Sequence, residues 1–229
     1  MKDRVPFGIA ELDNLIEGGL PRGGLVIIAG SPGAGKTILS AQFIYNGATL
    51  YNERGVYACL SESKENFKNN MLGLGWDFNK LEEKGMIRII ELPTAVKLKV
   101  EDMVNLIVEE VKKFKAHRLV VDSLSALNLA LGSKAEVRTV INLLVRILKN
   151  VGCTTLMITE SPWGTTGIGM GIEEFIADGI VLMESIIVGN RLERRMMILK
   201  MRATSHDTRY YRLNINKGLG VVLSTYPEM

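Results

Sequence analysis

The sequence predicts an α/β fold: a mostly parallel β-sheet flanked by helices and extended by antiparallel strands near the C-terminus. Two observations carry this. Up to residue 178, short apolar and β-branched runs alternate with longer stretches of helical periodicity, the pattern of strands joined by helical crossovers. Beyond residue 179 that periodicity stops. GIVLME, RRMMILKMR, TRYYRLNI and GVVLS then follow in quick succession, with the turn dipeptides GN and KG between some of them.

In chain order, residues 1–24 form a lead-in, 25–178 the core and 179–229 a C-terminal β extension, all within one domain. Strands are expected at LVIIAG (25–30), GVYACL (55–60), MIRIIEL (86–92), RLVVD (118–122) and CTTLMIT (153–159). Helical runs follow the first two strands at ILSAQFIYNGA and SKENFKNNML. The strongest periodicity lies at residues 99–114, with Met103, Leu106, Ile107 and Val111 assigned to one face, and at 136–149. No internal repeat or low-complexity tail interrupts the pattern.

The 229 residues, 47% of them hydrophobic, suffice for one large core. A net charge of +3 is too weak to argue for a nucleic-acid partner, which normally needs a clustered basic face. Cys59 and Cys153 both sit in apolar runs and read as buried thiols in a reducing compartment. His117 and His206 are far apart and belong to no Cys-x-x-Cys pattern, so a structural zinc site is not expected. No charged leader precedes an apolar segment, and no apolar run approaches the ~18 residues of a membrane span. A soluble cytoplasmic protein is the expectation.

GSPGAGKT, residues 30–37, fits the phosphate-binding pattern G-x-x-x-x-G-K-[ST]. It follows the first predicted strand and opens a helix, which is the required context. A chance match in such a chain has a probability of roughly one in a hundred. Gly30, Ser31, Pro32, Gly33, Ala34 and Gly35 would wrap around the phosphates, every one but Pro32 having an N–H to offer them, and Lys36, Thr37 and Ile38 would start the helix whose positive end faces them. Lys36 should reach the β and γ phosphates, and the Thr37 hydroxyl should bind Mg²⁺. Asp122, ending a buried apolar strand, is the candidate second metal group, although such strands often end in a turn aspartate. Glu62 in CLSES is a candidate for orienting the attacking water. Its alternative is an acid in the first helical turn, where it would suit the dipole.

The last candidates lie in ILKMRATSHD, residues 198–207. Alternation in a strand would set Lys200 and Arg202 side by side. Two cations there either guard an exposed strand edge or face an anion supplied elsewhere.

Taken together, GIAELDNLIEGGLPRGGLVIIAGSPGAGKT, GWDFNKLEEKGMIRII, RLVVDSLSAL, GIEEFIADGIVLM and ILKMRATSHD resemble the RecA-type ATPases, specifically the single-domain relatives of KaiC. The resemblance covers nearly the whole chain. It implies a RecA-like P-loop NTPase core, a homo-oligomeric ring, hexameric in that family, and nucleotides held between neighbours. It also implies that Lys200 and Arg202 act in trans on the γ-phosphate of the adjacent subunit. Where KaiC carries paired glutamates, this chain has Ser61 and Glu62, so one carboxylate serves alone. Glu174 and Phe175 stand at KaiC's phosphorylated positions, so no autokinase cycle is expected. Thr159 and Glu160 replace the Asn-Gln pair of recombinases, and Ala203 stands where glycine is usual.

Single-stranded DNA is weakly supported as a partner. The loop ESPWGTTGIGMGIEEF contains no Lys or Arg, although Trp163 is able to stack on a base. Arg191, Arg194, Arg195, Arg209 and Arg212 are expected on a solvated or inter-subunit face, and KKFKAHR (112–118) at a helix C-terminus. The leading reading is a Mg²⁺-dependent ATPase of regulatory or signalling role. The alternatives are a nucleotide-dependent assembly switch with little hydrolysis and a recombinase paralogue assisting repair. No membrane partner is expected, and any protein partner is unnamed by the sequence.

Overall fold

Each apolar run read as a core strand is a strand in the computed structural model, which describes residues 3–92, 100–125, 134–162 and 173–226; of 134–137 and 173–174 only the main chain is described. The strands are β1 (Arg4–Val5), β2 (Leu20–Pro21), β3 (Leu25–Gly30), β4 (Gly55–Cys59), β5 (Ile87–Glu91), β6 (Arg118–Asp122) and β7 (Thr154–Glu160), followed by β8 (Gly179–Val188), β9 (Arg191–Met201), β10 (Tyr211–Asn216) and β11 (Gly220–Thr225). The helices are α1 (Ala10–Asn14), α2 (Lys36–Leu50), α3 (Lys64–Gly73), α4 (Phe78–Glu83), α5 (Val100–Phe114), α6 (Lys134–Val151) and α7 (Glu173–Ile176).

Among the described residues, nine strands form one sheet in the order β11-β10-β9-β8-β3-β7-β6-β4-β5. The strands from β8 to β5 in that order run parallel, with β3 between β7 and β8. Because side chains alternate across a strand, β3 feeds two cores. Val26 and Ile28 pack with Phe43, Ile44 and Phe67 on the α2 side. Leu25 and Ile27 pack with Ile107, Leu144 and Leu148 under α5 and α6. Burial on both faces is why these strands read as continuous apolar runs rather than alternating ones.

Two expectations are corrected. β8 pairs parallel with β3, so the antiparallel extension begins one strand later, at β9. β8 enters the sheet after α7 and so runs in the same direction as β3 and β7, whereas the two residues Gly189 and Asn190 turn the chain straight back into β9. On α5, Leu106 is exposed; the buried stripe is Val100, Met103, Val104, Ile107, Val108 and Val111. These positions recur at three- and four-residue steps, and Leu106 lies one step off them.

The lead-in is fastened to α2 rather than draped over it. Asp13 accepts hydrogen bonds from the Phe7 and Gly8 amides, and the Asn46 amide donates to the Phe7 carbonyl at 2.9 Å. Arg118, which closes the run KKFKAHR and opens the strand expected at 118–122, is the fully buried first residue of β6. It donates to the carbonyls of Pro6 and Phe43 and pairs with Glu53 at 2.7 Å. Both cysteines are free and buried. No helix among the described residues is long and apolar enough to cross a membrane.

Candidate functional site

β3 ends in the loop Gly30–Gly35, and α2 begins at Lys36, so the glycine-rich motif occupies the strand-to-helix turn. Two glycines there are obligatory. Gly30 has φ 148°, and a Cβ on it would lie 1.7 Å from the Met183 carbonyl oxygen. Gly35 has φ 96° at the N-cap of α2, and its added Cβ would meet Ile215 Cδ1 at 2.9 Å. Gly35 offers no side-chain cap, which leaves the first amides of α2 for an incoming anion.

Lys36 folds back over this loop. Its Nζ donates to the carbonyls of Gly30 and Ser31, each at 2.8 Å. Burial pulls its pKa down from the ordinary value, while the charges of Glu160 and Asp122 push it up. Next to it, the Thr37 hydroxyl donates to Asp122 Oδ2 at 2.9 Å, and the Tyr57 hydroxyl donates to the same oxygen at 2.8 Å. Burial raises the Asp122 carboxyl, against the lowering effect of those two hydroxyls and of Lys36. Each of these groups sits at the C-terminal edge of the parallel strands, where open α/β sheets bind ligands.

Among the described residues, no group of three or more His, Cys, Asp or Glu side chains is placed to hold a metal. The Thr37 hydroxyl and the Asp122 carboxylate nevertheless fit Mg²⁺, which takes few protein oxygens and completes its shell with water and phosphate.

Glu62 lies between β4 and α3. Ser63 is the N-cap of α3 and Glu65 its first-turn acid, so Glu62 precedes the helix and is not a dipole partner within it. It accepts from Asn70 Nδ2 at 3.3 Å. Burial and then the Asp122 charge raise its pKa, and the Asn70 bond lowers it. Ser61, next to Glu62 in the chain, shares a hydrogen bond with Ser123 at 3.2 Å.

Lys200 and Arg202 are not with this cluster. β9 ends at Met201, so Arg202 begins the following turn rather than standing beside Lys200 on a strand. Lys200 pairs with Ile180, which pairs with Ile27, three residues before Gly30. That is about 10 Å along the strand, toward the opposite edge of the sheet. Arg202 donates to the Phe175 carbonyl at 3.2 Å and approaches Asp178 at 3.7 Å.

Three site residues escaped the sequence reading. Arg194, assigned to a solvated or inter-subunit face, donates from Nε to the Gly33 carbonyl at 2.8 Å, and the neighbouring Ser185 amide donates to Ser31 Oγ at 3.0 Å. Its alternation with the buried Met196 and Ile198 was the available signal. Tyr57, in a buried strand, needed a partner for its hydroxyl. Glu160, at the end of β7, acts on Lys36 and Asp122 through its charge. Arg195, Arg209 and Arg212 are paired with Glu184, Asp207 and Glu193. Trp163, much of the loop ESPWGTTGIGMGIEEF and the Glu174 side chain lie outside the described residues.

Residues 5–227 match the ATPase family described as KaiC. The chain is 33% identical to a UPF0273 protein of Pyrococcus horikoshii, with 100% of this chain and 96% of that one aligned. It is 32% identical to the circadian clock oscillator protein KaiC of Thermostichus vulcanus over 95% of its own length, and spans 44% of that relative. The crystal structure of a KaiC-like protein from P. horikoshii superposes with a TM-score of 0.89 at 38% identity, covering 99% of this chain and 100% of the other.

Proposed function

The chain belongs to the KaiC family of ATPases and has its RecA-like fold, and from that premise we propose that it is a Mg²⁺-dependent ATPase hydrolysing ATP between the subunits of a homo-oligomeric, hexameric ring. It forms one ATPase domain, works in the cytoplasm and has a regulatory or signalling role.

The meeting of Lys36, Thr37 and Asp122 at the mouth of the glycine loop carries this reading. The loop amides and Lys36 bind the triphosphate, and Thr37 and Asp122 hold the metal. Bound Mg²⁺ neutralises charge on the β and γ phosphates. Glu62 orients the attacking water, its raised pKa making it the stronger base. Lys200 and Arg202, too far along the sheet to serve their own loop, supply the positive charge that stabilises transfer on a neighbour's nucleotide.

The test combines phosphate release with size analysis, with and without ATP and Mg²⁺. Lys36→Ala should lose nucleotide binding, whereas Arg202→Ala should keep binding and lose turnover by roughly 1,000-fold. Full turnover by Arg202→Ala would end the trans assignment.

A second reading, an ATP-dependent assembly switch with little hydrolysis, is favoured by the Ser61–Ser123 hydrogen bond at the position of the missing carboxylate. ATP-driven assembly together with turnover unaltered by Glu62→Gln would support it.

A further inference from the structure

Arg202 lines two clefts at the edge of the sheet away from the glycine loop. One, of about 390 Å³, is bounded by Arg22, Gly24, Gly152, Asp178 and Ala203. The other, of about 450 Å³, is bounded by Arg138, Asn142 and Arg146 of α6 and by the exposed ring of Phe175. Among the described residues, Arg202 and Lys149 alone line both. An anion reaching Arg202 through either cleft therefore also meets Lys149.

The charges around this junction do not balance. Lys149 Nζ lies 2.8 Å from Asp178 Oδ2, while Arg202 Nη1 lies 3.7 Å from Oδ1 of the same carboxylate. Asp178 is held in place by the Leu25 amide, which donates to Oδ2 at 3.0 Å. One fixed carboxylate thus serves two cations. Arg138 and Arg146 add positive charge on the same face of α6, since they precede Lys149 by eleven and three residues, each close to a whole number of turns. The Lys149 side chain is half exposed at the end of a flexible stem, so its ammonium can pivot from Asp178 to an anion without moving α6.

We propose that Lys149 is a further phosphate-contacting residue: with Arg202 it clamps the terminal phosphoryl group of a nucleoside triphosphate presented by another copy of the chain. Asp178 is the internal counter-ion that both cations share until that group arrives. The assignment rests on the trans reading of Arg202 and enlarges it from a Lys-x-Arg pair to a cluster that includes α6. Lys149 supplies charge to the phosphoryl oxygens and exchanges no proton or bond with them.

The experiment measures ATP affinity, phosphate release and melting temperature for the full-length chain and for Lys149→Ala, Lys149→Arg, Arg202→Ala and Lys36→Ala. Lys149→Ala is expected to lower turnover roughly 100-fold with ATP affinity unchanged, and Lys149→Arg to retain most of it. Mixing Lys149→Ala, whose glycine loop is intact, with Lys36→Ala, whose cations are intact, should restore turnover above the sum of the two alone. If Lys149→Ala fails to fold, Lys149→Gln, which keeps part of the stem and a hydrogen-bond donor but no charge, takes its place. Turnover within two-fold of the parent for Lys149→Ala, while Arg202→Ala loses it, would remove Lys149 and leave the trans reading standing. A loss that mixing does not relieve and that accompanies a lower melting temperature would make Lys149 a structural pin for α6. Unchanged turnover in Arg202→Ala would overturn both assignments together.

Discussion

The Thr37 hydroxyl and the Asp122 carboxylate, 85 residues apart in the chain, meet at 2.9 Å where β6 ends beside the start of α2. Thr37→Val and Asp122→Asn should each raise the Mg²⁺ concentration needed for half-maximal phosphate release by roughly 10- to 100-fold. Titrating MgCl₂ at saturating ATP checks this, and an unmoved Mg²⁺ curve in both variants would remove the metal assignment.

Glu62 is the only carboxylate of the Ser61–Glu62 pair, and burial with the Asp122 charge lifts its pKa above the ordinary range. A base works deprotonated, so turnover should climb as pH rises through that elevated pKa. Glu62→Gln should flatten this limb and lower turnover by roughly 100- to 10,000-fold. A pH–rate profile of both proteins is the measurement.

Arg118 is fully buried against Glu53, the Pro6 and Phe43 carbonyls and the Phe43 ring, 4.5 Å from its centroid. Arg118→Ala leaves Glu53 short of its inner partner and frees the lead-in. Urea unfolding should register a loss of about 3–5 kcal/mol. A loss below about 1 kcal/mol would mean that the lead-in holds without it.

Asp13 titrates in the physiological range, burial raising its pKa to about 6 against the pull of the Phe7, Gly8 and Ile9 amides and of Arg118. The folded state therefore binds this proton more tightly than the unfolded chain does. Its contribution is fully present below the unfolded pKa near 3.8 and is lost as pH rises through about 6. The melting temperature of the parent minus that of Asp13→Asn should fall between pH 4 and 6 and then level off. A difference independent of pH would show that Asp13 keeps an ordinary pKa.

Most of the architecture was legible because its signals are local. Leu25–Gly30 is apolar throughout, since a central parallel strand has no solvent face, and GSPGAGKT needs glycine where main chain crowds Met183. The direction of β8 was not legible, because GIVLME reads alike in a parallel and an antiparallel strand, and what settles it is the pairing with β3, far away in the chain, whereas the turn after residue 188 sets only β9. The contact of Arg194 with the glycine loop was not legible for a similar reason. Alternation sets Arg194 on the buried face of β9, but nothing within β9 records that this face meets the carbonyl of Gly33.

By itself the sequence determined the strands and helices of the core, the phosphate-binding loop and the candidate groups, since periodicity and the steric demands of glycine act within a few residues. Only the tertiary structure decided which candidates share a site. Sheet order carries Asp122 to Thr37, while the antiparallel run of β9 takes Lys200 and Arg202 to the far edge, where Arg202 lies beside Lys149. Those encounters depend on the order and direction of strands distant in the chain, which hydrogen bonding and burial settle only when the whole sheet assembles.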